Sequence, residues 1–90
     1  MAIRVEVTPT GWEDHCHWVE HDTAVVERIH ELIKDIGREP FKGIGKPEPL
    51  RHDLAGFWSR RIDGANRPVY AVSGGRDEIT VIMCRYHYDR

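Results

Sequence analysis

The chain has 90 residues, enough for one domain with a single hydrophobic core but not for two. No apolar run approaches the ~20 residues that span a bilayer, and the N-terminus lacks the basic start and apolar stretch of a signal peptide. We therefore expect one domain over residues 1–90, cytoplasmic and without a membrane partner. In that reducing compartment, Cys16 and Cys84 are predicted to be buried thiols and not a disulfide.

The net charge of −2 argues at first sight against a nucleic-acid ligand, because binding to a polyanion normally requires a positive surface. The charge is, however, unevenly distributed. Residues 1–37 carry three basic and eight acidic side chains, a net of −5, whereas residues 38–90 carry ten basic and seven acidic ones, a net of +3. The second part of the chain is therefore compatible with an RNA or phosphate ligand.

The first third of the chain predicts a strand followed by two helices. Apolar and charged side chains alternate over Ala2–Val7, which is the period of a half-buried strand. The first helix is predicted to be capped by Thr8 or Thr10 and to place three residues on its apolar face: Trp12, Cys16 and Val19. The second is predicted to be capped by Asp22-Thr23 and to end at Gly37, with an apolar stripe at Val25 or Val26, Ile29, Leu32, Ile33 and Ile36.

The rest of the chain predicts a long loop and then three antiparallel strands. Prolines and glycines punctuate residues 38–56, and strands are predicted over residues 57–62, 68–72 and 79–86, separated by turns at 64–66 and 74–77. Pro68 has no amide hydrogen, so the start of its strand is expected at an edge or an end of the ladder. The order β-α-α-β-β-β predicts an α+β fold in which a two-helix hairpin packs on one face of a twisted, mostly antiparallel sheet.

Glu48 lies in the stiffest part of the long loop, within GKPEPL. Pro47 and Pro49 fix their own φ angles and bias the preceding residues, Lys46 and Glu48, toward extended conformations. The carboxylate is thus displayed among basic residues, which are Lys46, Arg51, Arg60 and Arg61. Two interpretations stay open: a surface loop with solvated ion pairs, or a general base beside an anion-binding surface.

Glu48, Arg67 and His87 together have the chemistry for cleaving RNA without a metal. A carboxylate takes a proton from the attacking 2′-hydroxyl, a histidine protonates the leaving oxygen, and an arginine neutralises charge on the phosphoryl group. The alternative is that the carboxylate and the arginine are solvated surface charges and the histidine is a frayed C-terminal residue. For residues of such common types, taken without further information, the alternative is the more frequent case.

Histidines and cysteines offer only weak signs of a metal site. His17 and His21 share a helix face at positions i and i+4, and Cys84 with His87 forms a second pair of potential ligands. No Cys-x-x-Cys pair accompanies them, and paired histidines arise often by chance in a chain with six. We therefore expect no structural zinc, no other metal and no cofactor.

Two further features have competing interpretations. Trp12, Trp18 and Trp58 are candidates for stacking on bases, although tryptophans in a small domain more often lie in the core or at an interface. The glycines of the segment GIGK suggest phosphate binding, but no predicted strand precedes them and no predicted helix follows. A P-loop is therefore excluded.

The chain closely resembles the YoeB (Txe) family of toxins from bacterial type II toxin–antitoxin systems, within the RelE-like superfamily. The segments that carry the resemblance are WED near Trp12, ERIHELIKDI, FKGIGKPEPLRHDLAGFWSRRI, NRPVYAV and the terminal CRYHY. They cover essentially the whole chain. The resemblance implies a RelE-like, microbial-RNase-like α+β fold and a ribosome-dependent endoribonuclease that cuts mRNA at the A-site codon and so inhibits translation.

The resemblance also implies roles for individual residues of the matching motifs. Glu48 in KPEPL is implied to be the general base, His87 in RYHY the general acid, and Arg67 in NRPVY the residue that stabilises charge on the scissile phosphate. Tyr88 is implied to orient the substrate or the acid. The residues implied to bind phosphate or RNA are Lys46, Arg51 and Arg61.

Several partners follow from the same resemblance. They are a cognate YefM-like antitoxin whose disordered segment folds over the toxin, the ribosome with its mRNA, and a second copy of the chain in a homodimer. Operator DNA is expected to be contacted only through the antitoxin complex. The rival hypothesis is a catalytically silent module that uses the same basic face as a nucleic-acid or partner platform in a toxin–antitoxin repressor complex.

Overall fold

The computed structural model describes residues 4–73, 75 and 77–87, except for the side chains of residues 86 and 87. Its elements in chain order are β1 (Arg4–Val7), α1 (Pro9–His21), α2 (Thr23–Arg38), β2 (Glu48–Pro49), β3 (Trp58–Ser59), β4 (Asn66–Ser73) and β5 (Glu78–His87), with a 3-10 turn at His52–Leu54. In this part of the chain, no helix has the length and apolarity needed to cross a membrane.

The five strands form one sheet in the order β1-β5-β4-β3-β2. β1 runs parallel to β5, and the other neighbouring pairs are antiparallel. The predicted α+β fold with a mostly antiparallel sheet is therefore confirmed. Pro68 lies inside the central strand β4, where the register with β5 shifts between Arg67 and Val69. The expectation that Pro68 begins its strand is thus wrong, because an irregularity in the ladder accommodates its missing amide hydrogen.

The second helix packs against the sheet as its apolar stripe predicts. The Asp22 side chain accepts hydrogen bonds from the amides of Ala24 and Val25 and so caps α2. The helix continues one residue beyond Gly37, to Arg38. Its buried residues are Val25, Ile29, Leu32 and Ile36, which pack with residues of β4, β5 and the segment after β3: Ile62, Tyr70, Ile79, Val81 and Cys84.

The first helix begins after Thr8, one of the two predicted caps, whose side chain accepts a hydrogen bond from the Gly11 amide. Its predicted apolar face is wrong, because Trp12 is 57% exposed and Val19 is 49% exposed. The helix instead turns Gly11 toward the sheet. A Cβ atom on Gly11 would lie only 2.9 Å from the carbonyl oxygen of Val81, so the backbone approaches β5 too closely for a larger residue.

The orientation of α1 is determined by the part of the β5 edge with which β1 does not pair. β1 pairs with β5 only as far as Val81, and beyond that point α1 supplies the hydrogen-bonding partners. Trp18 Nε1 donates to the Cys84 carbonyl at 3.0 Å, and the Cys84 amide donates to Asp14 Oδ2 at 2.9 Å. Because backbone groups at a covered edge require partners, these polar contacts determine the face that α1 presents.

The first strand also differs from its prediction. β1 covers Arg4–Val7, and residues 2 and 3 lie outside the described part of the chain. All four of its residues are exposed. The alternation correctly predicted a strand, but the prediction that one of its faces is buried is wrong. β1 is an edge strand beside β5, and its described residues do not belong to the buried core.

Candidate active site

Two of the predicted catalytic residues, Glu48 and Arg67, are in contact. Arg67 Nη1 donates to Glu48 Oε1 at 3.1 Å, across 19 residues of chain. The sheet brings them together, since Glu48 pairs with Ser59 in the β2–β3 ladder and Ser59 pairs with Val69 of β4. The Arg67 side chain is 8% exposed and that of Glu48 is 45% exposed. The guanidinium is therefore covered, while the carboxylate is open to a ligand.

The third predicted catalytic residue, His87, lies at the same end of the sheet. In the β4–β5 ladder the backbone of His87 pairs with Asn66, and that of Tyr86 pairs with Arg67. The side chain of His87 is outside the described part of the structure, as is the whole of Tyr88. The backbone of the predicted acid is thus one residue along the ladder from Arg67.

The three predicted phosphate-binding residues, Lys46, Arg51 and Arg61, are all exposed. Glu48 is extended in β2, as its following proline predicts. Lys46 is not extended, because its φ is +51°. The preceding glycine explains this turn: the Gly45 carbonyl accepts the Arg61 amide at 2.6 Å, and a Cβ on Gly45 would lie 2.7 Å from a methyl group of Leu32. The chain must therefore turn sharply as it leaves this tight contact.

The loop predicted over residues 38–56 contains two short elements that sequence patterns missed. They are the two-residue strand β2 and the 3-10 turn at His52–Leu54. The strand predicted over residues 57–62 is likewise reduced to the two residues of β3. A strand of two residues is too short to show a periodic pattern. The sequence signal for β2 was the pair of prolines on either side of Glu48.

Arg60 is not one of the cations around Glu48, although the sequence grouped it with them. Its side chain is fully buried and turns toward the loop that follows α2. Nη1 donates to Asp35 Oδ2 at 2.5 Å, and Nε donates to the Tyr70 hydroxyl at 3.3 Å. The remaining acceptors are the carbonyls of Glu39, Lys42 and Ile44. A tyrosine in a buried strand requires a hydrogen-bond partner, and this was the sequence signal for the network.

Burial and hydrogen bonding set the proton affinities in and beside this network. The hydrogen bond from Arg60 holds the pKa of Asp35 below its ordinary value. Burial raises the pKa of Tyr70, which keeps its hydroxyl protonated and able to donate to the Pro40 carbonyl at 2.6 Å. Burial, with a smaller effect of Asp14, raises the pKa of the Cys84 thiol to about 12. Cys84 is thus a buried free thiol as predicted, whereas Cys16 is free but only half-buried.

The other candidate ligands do not converge. Among the described residues, no group of three or more histidine, cysteine, aspartate or glutamate side chains could hold a metal ion. The rings of His17 and His21 stack with their centroids 4.2 Å apart, and His21 Nδ1 lies 2.7 Å from the His17 carbonyl oxygen of the same helix. This pair is therefore engaged within α1.

The tryptophans divide between surface and core. Trp18 packs against the core, and Trp58 is half-buried with its ring centroid 4.8 Å from that of Phe41. Trp12 is exposed and stacks on His15 at 5.2 Å. Trp12 therefore lies at the surface, whereas Trp18 and Trp58 pack against the core.

A groove of about 550 Å³ runs along the outer side of α2, away from the candidate site. Its lining includes neither Glu48 nor Arg67 and consists of Glu27, His30, Glu31, Lys34, Asp35, Arg38 and Ile44. Because the reactive residue types converge elsewhere, we place the candidate active site at Glu48 and Arg67 and not in this groove.

Comparison with known proteins identifies the class of protein with this fold. A family model described as "YoeB-like toxin of bacterial type II toxin-antitoxin system" matches residues 7–88. A toxin YoeB of Streptomyces coelicolor is 52% identical over 86 residues, which cover 96% of this chain and 100% of that protein. A solved YoeB/ParE toxin from Agrobacterium tumefaciens superposes with a TM-score of 0.90 at 46% identity, covering 96% of this chain and 100% of that one.

Two similar structures from Staphylococcus aureus are of assemblies and not of a single chain. A YoeB dimer has a TM-score of 0.88 and a heterotetrameric YoeB-YefM toxin-antitoxin complex has one of 0.84, both at 37% identity and covering 98% of this chain and 100% of theirs. The fold is therefore that of a small toxin of a toxin–antitoxin system. The chain belongs to the family of YoeB-like toxins, and the resemblance inferred from its motifs is confirmed.

Proposed function

We propose that the chain is a ribosome-dependent endoribonuclease that cleaves mRNA at the A-site codon and thereby inhibits translation. The observation that supports this most directly is the Glu48–Arg67 contact, in which an open carboxylate lies 3.1 Å from a covered guanidinium. Carboxylate, guanidinium and imidazole are together sufficient for acid–base cleavage of RNA. Residues 1–90 act as one toxin domain, in the cytoplasm where the ribosome is found.

The proposed reaction is an attack of the RNA on its own backbone. Glu48 takes the proton of the 2′-hydroxyl, and the 2′-oxygen bonds to the adjacent phosphorus. The bond from phosphorus to the 5′-oxygen of the next nucleotide breaks, and His87 protonates that oxygen. The products are a 2′,3′-cyclic phosphate and a 5′-hydroxyl. Arg67 transfers a hydrogen bond from Glu48 to a non-bridging phosphate oxygen, where negative charge develops.

The remaining predicted site residues bind and orient the RNA. Lys46, Arg51 and Arg61 are exposed, so their charges are accessible to phosphates. Tyr88 orients either the substrate or His87. With a net charge of −2, the chain attracts free RNA only weakly, which favours mRNA already held on a ribosome.

The proposed partners follow those of the Staphylococcus aureus relative, which forms a dimer and a complex with YefM. This chain is proposed to bind a YefM-like antitoxin and to form a homodimer. Operator DNA is contacted only through the antitoxin complex.

Purified ribosomes programmed with a defined mRNA test the activity. Wild type is expected to cut at the A-site codon, and Glu48→Gln is expected to slow single-turnover cleavage about 100- to 10,000-fold. Glu31→Gln is the matched control, because Glu31 is another exposed carboxylate paired with an arginine. An A-site message left intact by folded wild type would refute the nuclease and favour the catalytically silent binding module.

A second arm of the same assay tests the proposed independence from transition metals. 1,10-Phenanthroline removes transition metals and leaves the Mg²⁺ that ribosomes require. Cleavage is expected to continue at the same rate in its presence. Loss of cleavage that zinc restores would show that the reaction needs a transition metal.

A further inference from the structure

A buried network around Arg60 joins the two halves of the candidate active site. The backbone amide of Arg60 donates to the Pro68 carbonyl at 3.3 Å, immediately beside Arg67 in β4. Its side chain is fully buried and reaches the loop that leads to Glu48. One residue therefore contacts both the strand of the arginine and the approach to the carboxylate.

Three buried or largely covered side chains fix that loop. The Arg60 guanidinium donates to the carbonyls of Glu39 at 2.7 Å, Lys42 at 3.0 Å and Ile44 at 3.1 Å. Asp35 Oδ2 accepts from both Arg60 and the Ile44 amide, the latter at 3.1 Å. The Tyr70 hydroxyl adds a hydrogen bond to the Pro40 carbonyl. A segment without helix or strand structure is thus held by side chains at intervals of one or two residues.

Little freedom remains between this segment and the carboxylate. The Gly45 carbonyl accepts the Arg61 amide, which fixes the next residue after Ile44. Lys46 turns with a φ of +51°, and Pro47 leads directly into β2. Lys46 and Pro47 both have little backbone freedom. The position of the loop therefore determines the position of Glu48.

We propose that Arg60, together with Asp35 and Tyr70, positions Glu48 relative to Arg67 before RNA binds. The inference rests on the proposed function, because it assigns a purpose to the position of the general base. Holding reacting groups in place in advance accounts for a large share of catalysis, and a displacement of about 1 Å costs roughly 100-fold in rate. Arg60, Asp35 and Tyr70 contact no substrate themselves and act through Glu48.

The test uses Asp35→Asn and Tyr70→Phe, which keep side-chain shape and leave Arg60 in place. Single-turnover cleavage is measured with saturating toxin on programmed ribosomes, at a temperature where circular dichroism shows each variant fully folded. Both are expected to cleave roughly 10- to 100-fold more slowly, with ribosome affinity unchanged. Glu31→Gln, which removes an exposed partner of Arg28, should cleave like wild type.

A double variant separates positioning from simple stabilisation. If the network acts through Glu48, adding Asp35→Asn to Glu48→Gln should cause little further loss. Full multiplication of the two losses would overturn the proposal. So would wild-type cleavage rates in the two single variants accompanied only by a lower melting temperature.

Amide hydrogen exchange gives a readout that does not depend on activity. The Ile44 and Arg61 amides donate to Asp35 and Gly45, so Asp35→Asn should speed their exchange if the network fixes the loop. Unchanged protection would overturn the positioning role. A wild type that does not cleave would refute the proposed function instead, and the exchange rates would still decide whether this network orders the approach to Glu48.

Discussion

Two arginine–carboxylate pairs lie close together in the fold and differ in what surrounds them. In the Arg60–Asp35 pair the side chains are 0% and 18% exposed, whereas in the Arg67–Glu48 pair they are 8% and 45% exposed. The donors of Arg60 are directed at backbone carbonyls of a loop, as well as at Asp35 and Tyr70. The comparison indicates that the pair with the covered carboxylate maintains the structure, and the pair with the open carboxylate is accessible to a ligand.

The largest difference between the two pairs is expected when each arginine is removed. Arg60→Ala should lower the free energy of unfolding by about 3–5 kcal/mol, because it leaves a covered carboxylate and several carbonyls without partners. Arg67→Ala should cost less stability, because the half-exposed Glu48 is then hydrated, but it should slow cleavage about 100- to 1,000-fold. Urea unfolding and single-turnover cleavage of both variants measure the two effects. A greater stability loss for Arg67→Ala would reverse the assignment of the pairs.

The two arginines also show what the sequence could and could not predict. Arg60 and Arg61 are neighbours in an extended segment, so their side chains point to opposite sides and one of them faces the core. The sequence does not say which, because that depends on the loop after α2 folding over Arg60. Glu48 and Arg67 were identified through the family motifs, while their contact depends on the two-residue strands β2 and β3.

The two helices also differ in how well their buried faces could be predicted from the sequence. The apolar stripe of α2 is regular and opposes charged residues, so its buried face could be predicted from periodicity alone. On α1 the buried face is determined by the unpaired edge of β5, to which Asp14 and Trp18 form hydrogen bonds. An edge created by a strand more than 60 residues later leaves no local pattern, so periodicity predicts Trp12 on the buried face although its side chain is exposed.

Acid titration provides a second, smaller test of the comparison. Arg60 holds the pKa of Asp35 below its ordinary value of 3.8, so the ionised carboxylate favours the folded state. That contribution is present above pH 3.8 and is lost as the pH falls through the lower pKa of the folded protein. The free energy of unfolding of wild type should therefore decrease on acidification in this range, and Asp35→Asn should show a shallower decrease. Equal slopes in urea unfolding series for the two proteins would contradict the stabilising role of the pair.

The smallest effect is expected from a third pair, Arg28–Glu31, on the surface of α2. Its atoms lie 2.9 Å apart, closer than the 3.1 Å between Arg67 and Glu48, but its side chains are 34% and 63% exposed. Water and salt screen such a pair, so Glu31→Gln should change the free energy of unfolding by no more than about 0.5 kcal/mol. Urea unfolding at low and high salt measures this change.

The outcome for Glu31→Gln determines whether burial is the property that distinguishes the pairs. If Glu31→Gln destabilised the protein as much as Asp35→Asn, burial of the carboxylate would have no special role in the stability that these pairs contribute. If the loss is small at both salt concentrations, the covered carboxylate of Asp35 is what makes the Arg60 pair structural. The open carboxylate of Glu48 then lies between these extremes, covered enough on its arginine side to be held in place and exposed enough to meet a substrate.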